Sequence, residues 1–181
     1  MDVASWSAIA RRIRVPLGFA FAALYLWLAS PSVKSIIIGS CLVIPGLIIR
    51  ALASGYLQKN EQLATGGLYS HTRNPLYLGS LILTSGFAVA ARSWWIGLGL
   101  ALIFVGVYMP VIRAEEAFLR ERFPQFEDYA RKVPRLLPRL KGIHGNGAFS
   151  WDLYWKHREY NSALGSIAIA AVLLIKLMMQ D

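Results

Sequence analysis

The sequence predicts an all-α fold, a polytopic membrane helical bundle of about five transmembrane helices with a cytoplasmic helical cap. Three observations predict it. Hydrophobic residues make up 56% of the 181 residues, and mean hydropathy is +0.46. That excludes disorder and argues against a soluble domain. Long apolar stretches recur at roughly 15–30, 35–57, 75–91, 94–112 and 162–179. The Lys and Arg residues between them fall overwhelmingly on one side.

The stretch 15–30 follows Arg11, Arg12 and Arg14, but Tyr25, Trp27 and Leu28 leave no small-residue cleavage site before Pro31. It therefore reads as a span and not as a secretory leader. The stretch 35–57 carries Pro45-Gly46 at its middle, which predicts a kink. Cys41 lies inside this stretch and is expected to be a small packing residue, which excludes a disulfide scaffold. Stretches 75–91 and 94–112 are joined by Arg92-Ser93, so they must be antiparallel neighbours. Several spans fall short of the ~20 residues a perpendicular helix needs, and thinning of the bilayer or snorkelling at their ends can make up the difference.

A cytoplasmic excursion follows over 113–161. Ala114 to Phe123 reads as a helix continuing out of the fourth span and stopped by Pro124. Phe126 to Val133 adds a turn or two before Pro134 and Pro138. Phe118, Leu119, Phe123, Phe126 and Tyr129, interleaved with basic residues, suit a surface-lying helix. Ser150 can cap a helix through Trp151–Arg158 that leads into the last span. The chain reads as one domain, 1–181, without an internal repeat.

Charge orients the spans. With the N-terminus in the cytoplasm, only Lys34, Arg92 and Lys176 of the 19 Lys and Arg fall outside. That is a strong positive-inside signal. It puts the C-terminus outside, and a bacterial-type cytoplasmic membrane is the expected location. Trp27, Trp94 and Trp95 then mark the outer interface, and Trp6, Trp151 and Trp155 the inner one. The net charge of +9 meets anionic headgroups. No basic stripe on a soluble domain points to nucleic acid. No metal site and no obligate protein partner are expected.

The passage Gly66–Gly79 is the polar interruption that calls for a functional reason. Asn74-Pro75 is a good helix start, with Asn at the N-cap and Pro at the first helical position. Its open amides attract a carboxylate or phosphate, and Arg73 can grip the same anion. Gly66-Gly67 permits a close approach of backbone to a ligand. Tyr69 and Tyr77 offer aromatic faces to a purine or a cation. The fourth span runs back inward and brings Glu115-Glu116 to the same rim. Successive helical residues diverge by about 100°, so one glutamate faces inward, and Glu115 is the one expected to do so. A carboxylate opposite an anion-binding helix start suits a zwitterionic ligand. The alternative is that Arg73, Glu115 and Glu116 pair with one another at the interface and the tyrosines are belt aromatics.

The spaced motif Gly67-x-Tyr69-x-x-x-Arg73-x-Pro75-x-Tyr77-x-Gly79, then Glu115-Glu116, Tyr129 and Val133-Pro134 ahead of Pro138, resembles the isoprenylcysteine carboxyl methyltransferase and phospholipid methyltransferase superfamily over about residues 50–140. The C-terminal part, 141–181, lies outside the shared motif. The resemblance implies an integral-membrane enzyme that uses S-adenosylmethionine on the cytoplasmic side. By matching positions it implies that Tyr69, Asn74, Pro75, Leu76, Tyr77 and Glu115 line the cofactor, with Glu61, Gln62, Leu63 and Ala64 beside it. Where the family usually carries His after the arginine, this chain has Asn74, which hydrogen-bonds but cannot become cationic. The family's substrate-gripping arginine lies shortly before the glutamates, where this chain has Arg113. His157, Arg158 and Glu159 are candidates for substrate contact.

The expected reaction moves a methyl group from S-adenosylmethionine to a lipophilic acceptor, either a prenylcysteine-like carboxylate or a phospholipid amine. Arg73, Arg113 and Glu116 are the candidate catalytic residues. A carboxylate acceptor needs no base, whereas an amine must lose a proton to Glu116, His71 or His157. The alternatives are an NADPH-dependent sterol-reductase-like membrane enzyme and a non-catalytic membrane scaffold. Against the reductase, Ser80 follows Gly79 where those enzymes tend to place an acidic residue.

Overall fold

A computed structural model describes residues 3–58 and 61–180; within the first helix, side chains are described at Ile9, Arg12 and from Pro16 onward. The interfacial placements expected of Trp6, Arg11 and Arg14 concern side chains outside those described, and Lys59 lies outside the described residues. Among the described residues the chain is helical without strands: α1 (Val3–Leu28), α2 (Val33–Tyr56), a 3₁₀ turn (Gly67–Ser70), α3 (Pro75–Ala91), α4 (Trp94–Ile103), a π turn (Phe104–Tyr108), α5 (Met109–Arg122), α6 (Phe126–Lys132), α7 (Trp151–Lys156) and α8 (Tyr160–Met178). Among the described residues, three helical stretches are long and apolar enough to cross a membrane: Val33–Tyr56, the continuous Trp94–Arg122, and Tyr160–Met178. Pro16–Leu28, within α1, and Pro75–Ala91 are shorter apolar stretches. The all-helical membrane fold expected from hydropathy is present. The stops at Pro124 and the start at Pro75 fall where proline chemistry places them.

The chain divides into two compact units. The first comprises Met1–Val43, Thr84–Ala117 and Ile167–Asp181. Here Tyr25 donates its hydroxyl to the Phe87 carbonyl at 3.0 Å, and Ser35 Oγ donates to Ala90 O at 2.9 Å. The Ser30 amide reaches Ala91 O at 2.9 Å, and Lys176 Nζ reaches Leu26 O at 2.6 Å. The ends of α1, α3 and α8 and the start of α2 therefore share one end of this unit. Alternate crossing requires that arrangement. A Cβ on Gly39 would meet Gly86 O at 2.5 Å, so α2 and α3 cross backbone to backbone. The Arg92-Ser93 link turns tightly enough to hold Arg92 at φ 54.

The second unit comprises Ile44–Leu83 and Phe118–Ser166. Its core is Leu63, Phe123, Phe126, Tyr129 and Val133, with Leu119, Ala130 and Ile143 packed against it. The aromatic spacing of α6 thus builds a cap around itself. Ser150 caps α7 as its sequence predicts, accepting from the Leu153 amide at 3.4 Å.

One expectation is overturned in α2. Cys41 is exposed, not packed. An apolar span presents most of its surface to lipid, and lipid tails accept a thiol-bearing side chain as readily as a core does.

Candidate active site

The motif passage of the second unit is held by a strap that runs from Val133 to Gly147. The Arg73 amide donates to Pro134 O at 2.9 Å, and Asn74 Nδ2 donates to Arg135 O at 3.0 Å. Thr72 Oγ1 donates to Leu136 O at 3.0 Å, and the Arg139 amide to His71 O at 3.0 Å. His71 Nδ1 lies 2.9 Å from Arg139 O, and the Ile143 amide reaches Ser70 O at 3.2 Å. Tyr129, from α6, donates its hydroxyl to Tyr69 O at 2.7 Å. The polar side chains that made this passage look like an anion site also fasten loop to strap. Arg73 Nη1 donates to Ala130 O at 3.3 Å, and its guanidinium lies 6.0 Å from the Phe126 ring centroid.

The glycines serve the same closure. A Cβ on Gly66 would meet Asn146 O at 2.5 Å, and one on Gly67, at φ +54, would meet the Tyr56 ring at 2.5 Å. The close approach expected toward a ligand is made toward the chain itself.

The cofactor-lining candidates fall out as follows. Tyr69 is buried, and Asn74, Leu76 and Tyr77 are half-buried around the first turn of α3. Pro75 is fully buried and, with Ile49, Leu68, His71, Thr72, Leu78 and Pro138, lines an almost wholly apolar cavity of ≈ 230 Å³. Glu61 and Gln62 are exposed, and Glu61 pairs with Lys156 at 3.6 Å. Leu63 is buried in the cap core, and Ala64 is half-buried. The substrate candidates of the tail turn toward α2. His157 Nδ1 lies 3.2 Å from Ser54 O, and both Glu159 oxygens are engaged by Arg50, at 2.7 and 3.1 Å. Arg158 is exposed at φ 53. Arg50 was not among the residues expected at the site. An arginine inside an apolar span was the available signal for it.

Arg113, Glu115 and Glu116 belong to the first unit. Here one expectation is corrected: Glu115 is exposed, and Glu116 is the buried glutamate, 3% exposed. The helix face explains this: Glu116 follows Ile112, itself fully buried, by four residues and so shares its face.

In α6, Glu127 hydrogen-bonds Arg120, and this bond, reinforced by the charges of Arg120, Arg131 and Arg73, holds its carboxyl below the usual carboxylate range. Among the described residues, no group of three His, Cys, Asp or Glu is assembled that could hold a metal ion.

Comparison with known proteins gives a family match and three curated relatives. The phospholipid methyltransferase family matches residues 13–125, more than half of the chain. A cobalt-zinc-cadmium resistance protein of Cupriavidus metallidurans is 37% identical over 59% of this chain and 48% of its own. A nickel-cobalt-cadmium resistance protein of Alcaligenes xylosoxydans xylosoxydans is 40% identical over 46% of this chain and 39% of its own. A protein-S-isoprenylcysteine O-methyltransferase of Schizosaccharomyces pombe is 28% identical over 55% of this chain and 42% of its own. The chain thus spans less than half the length of each of these curated relatives. No solved structure matches it.

Proposed function

The chain belongs to the phospholipid methyltransferase family, and we propose that it transfers a methyl group from S-adenosylmethionine to a lipophilic acceptor in a bacterial-type cytoplasmic membrane, with its loops 58–74 and 113–161 on the cytoplasmic side. The family match carries this reading, and the likeness to a protein-S-isoprenylcysteine O-methyltransferase supports it. The acceptor class is a phospholipid amine or a prenylcysteine-like carboxylate. Both are lipid-anchored nucleophiles that suit a protein with apolar spans.

The residues of the second unit fit the methyl donor by their chemistry. The start of α3 at Pro75 favours a carboxylate. Half-buried Tyr77 offers an aromatic face to a purine or a sulfonium. When bound, the donor supplies an electrophilic methyl group that needs no metal-generated nucleophile. The strap's hydrogen bonds to residues 70–74 hold that turn in place before any ligand arrives, so less ordering is left to binding. Arg73 is assigned to an anionic group of donor or acceptor, and Arg113 to the acceptor's headgroup. Glu116 is assigned to take the proton that an amine acceptor must lose. Positioning and exclusion of water are the main contributions expected of the protein.

The test is transfer of label from methyl-labelled S-adenosylmethionine by purified protein in lipid nanodiscs. Labelled lipid is expected with phospholipid amines or prenylcysteine analogues, with loss of transfer in Arg73→Ala. No labelled lipid from either acceptor class, together with oxidation of NADPH by the same preparation, would replace this reading with the reductase one.

A further inference from the structure

The strongest polar feature of the second unit lies outside the motif passage. Arg50, in α2, is held by Glu159, the residue before α8, through Nε–Oε1 at 2.7 Å and Nη2–Oε2 at 3.1 Å. Its Nε also reaches Ser162 Oγ at 3.2 Å, and its Nη1 donates to Ser80 Oγ in α3. Ser80 Oγ in turn donates to Leu76 O at 2.8 Å. Glu159 is 9% exposed, and Arg50 is about a quarter exposed at its side chain, 23%. A charged pair among apolar spans is costly and is retained for a purpose.

The neighbouring backbone is shaped to accommodate this pair. A Cβ on Gly79 would fall 2.7 Å from Arg50 Cγ and 2.9 Å from Gly46 O. The glycine that ends the motif therefore clears the path by which Arg50 crosses α3 to Ser80. At the other end, Arg158 adopts φ 53, a left-handed conformation that non-glycine residues rarely take. That turn breaks α7 from α8 and aims Glu159 at Arg50. The same junction fixes His157 Nδ1 3.2 Å from Ser54 O, and the Ser150 amide donates to Gly55 O at 2.9 Å. The tail thus grips α2 at several points, and Arg50 passes the grip on to α3.

We propose that Arg50 and Glu159 are positioning residues, which act through Ser80 to set the first turns of α3, where Leu76 and Tyr77 lie, for the methyl donor. This rests on the methyltransferase reading for its ligand, but not for its mechanics. A relay of this kind fixes a helix turn by a bidentate fork, which arginine provides and lysine does not. It gives the tail, which lies beyond the matched residues 13–125, a direct role in shaping the motif.

The experiment pairs hydrogen exchange of residues 75–83 with S-adenosylhomocysteine binding and steady-state kinetics, in nanodiscs. In Glu159→Gln and Arg50→Lys, exchange across 75–83 is expected to speed up and affinity to fall about tenfold or more. The KM for the methyl donor should rise while kcat holds. Ser80→Ala should move the same quantities in the same direction with the ion pair intact. The charge exchange Arg50→Glu with Glu159→Arg should recover part of the loss, and Asp152→Asn, an exposed control in α7, should change nothing. Folded Glu159→Gln and Ser80→Ala with wild-type exchange across 75–83 would overturn the proposal. Faster exchange in a protein whose wild type binds no S-adenosylhomocysteine would uphold the relay and overturn the methyltransferase reading instead.

Discussion

Glu116→Gln is expected to lower methyl transfer to an amine acceptor by about 10²-fold or more, the range general bases contribute, while Glu115→Gln leaves turnover near the wild-type rate. The asymmetry follows from exposure. Glu116 is 3% exposed on the face of Ile112, whereas Glu115 is exposed. Glutamine keeps the size and a hydrogen-bonding head, so folding survives and the loss isolates the charge. Rates for both variants on phospholipid amines and on prenylcysteine-like carboxylates provide the check. On a carboxylate acceptor, already ionised, Glu116→Gln should cost far less. Equal losses in the two variants, on either acceptor, would remove Glu116 from the proton-taking role.

Phe126→Ala should have the largest effect on stability, about 3–5 kcal/mol by the usual cost of emptying a large buried aromatic site. Phe126 is 1% exposed at the centre of the cap core, with the Arg73 and Arg120 guanidiniums 6.0 and 5.5 Å from its ring centroid. Losing the ring removes apolar packing and frees the Ala130 region that Arg73 grips. Thermal melting in detergent and limited proteolysis within 133–143 would report it. Phe118→Ala, at an exposed position, should shift melting little. A Phe126→Ala protein that melts and resists protease like Phe118→Ala would mean that this cluster does not hold the cap.

The sequence made the local features legible where one residue's chemistry dictates them. Pro75 starts α3, Pro124 stops α5, Ser150 caps α7, and the apolar stretches mark the spans. What it hid depends on distance or register. Arg50 and Glu159 meet across 109 residues of sequence, and neither is part of a spaced motif. The strap's bonds to residues 70–74 use backbone carbonyls, which every residue carries, so no side-chain pattern announces them. Adjacent glutamates on a helix give no pattern that says which one faces inward, and the buried one is Glu116, on the face of Ile112. In the motif passage, Gly66 and Gly67 were readable as permitting a close approach of backbone. That the approach is to Asn146 and Tyr56, and that Gly79 makes room for Arg50, depends on contacts distant in sequence.

Calorimetric titration of the purified protein with S-adenosylhomocysteine, alongside NADPH, tests the central claim most directly. Saturable one-site binding of S-adenosylhomocysteine, weakened in Tyr77→Ala and absent for NADPH, is the predicted result. Saturable binding of NADPH with no heat from S-adenosylhomocysteine would contradict it.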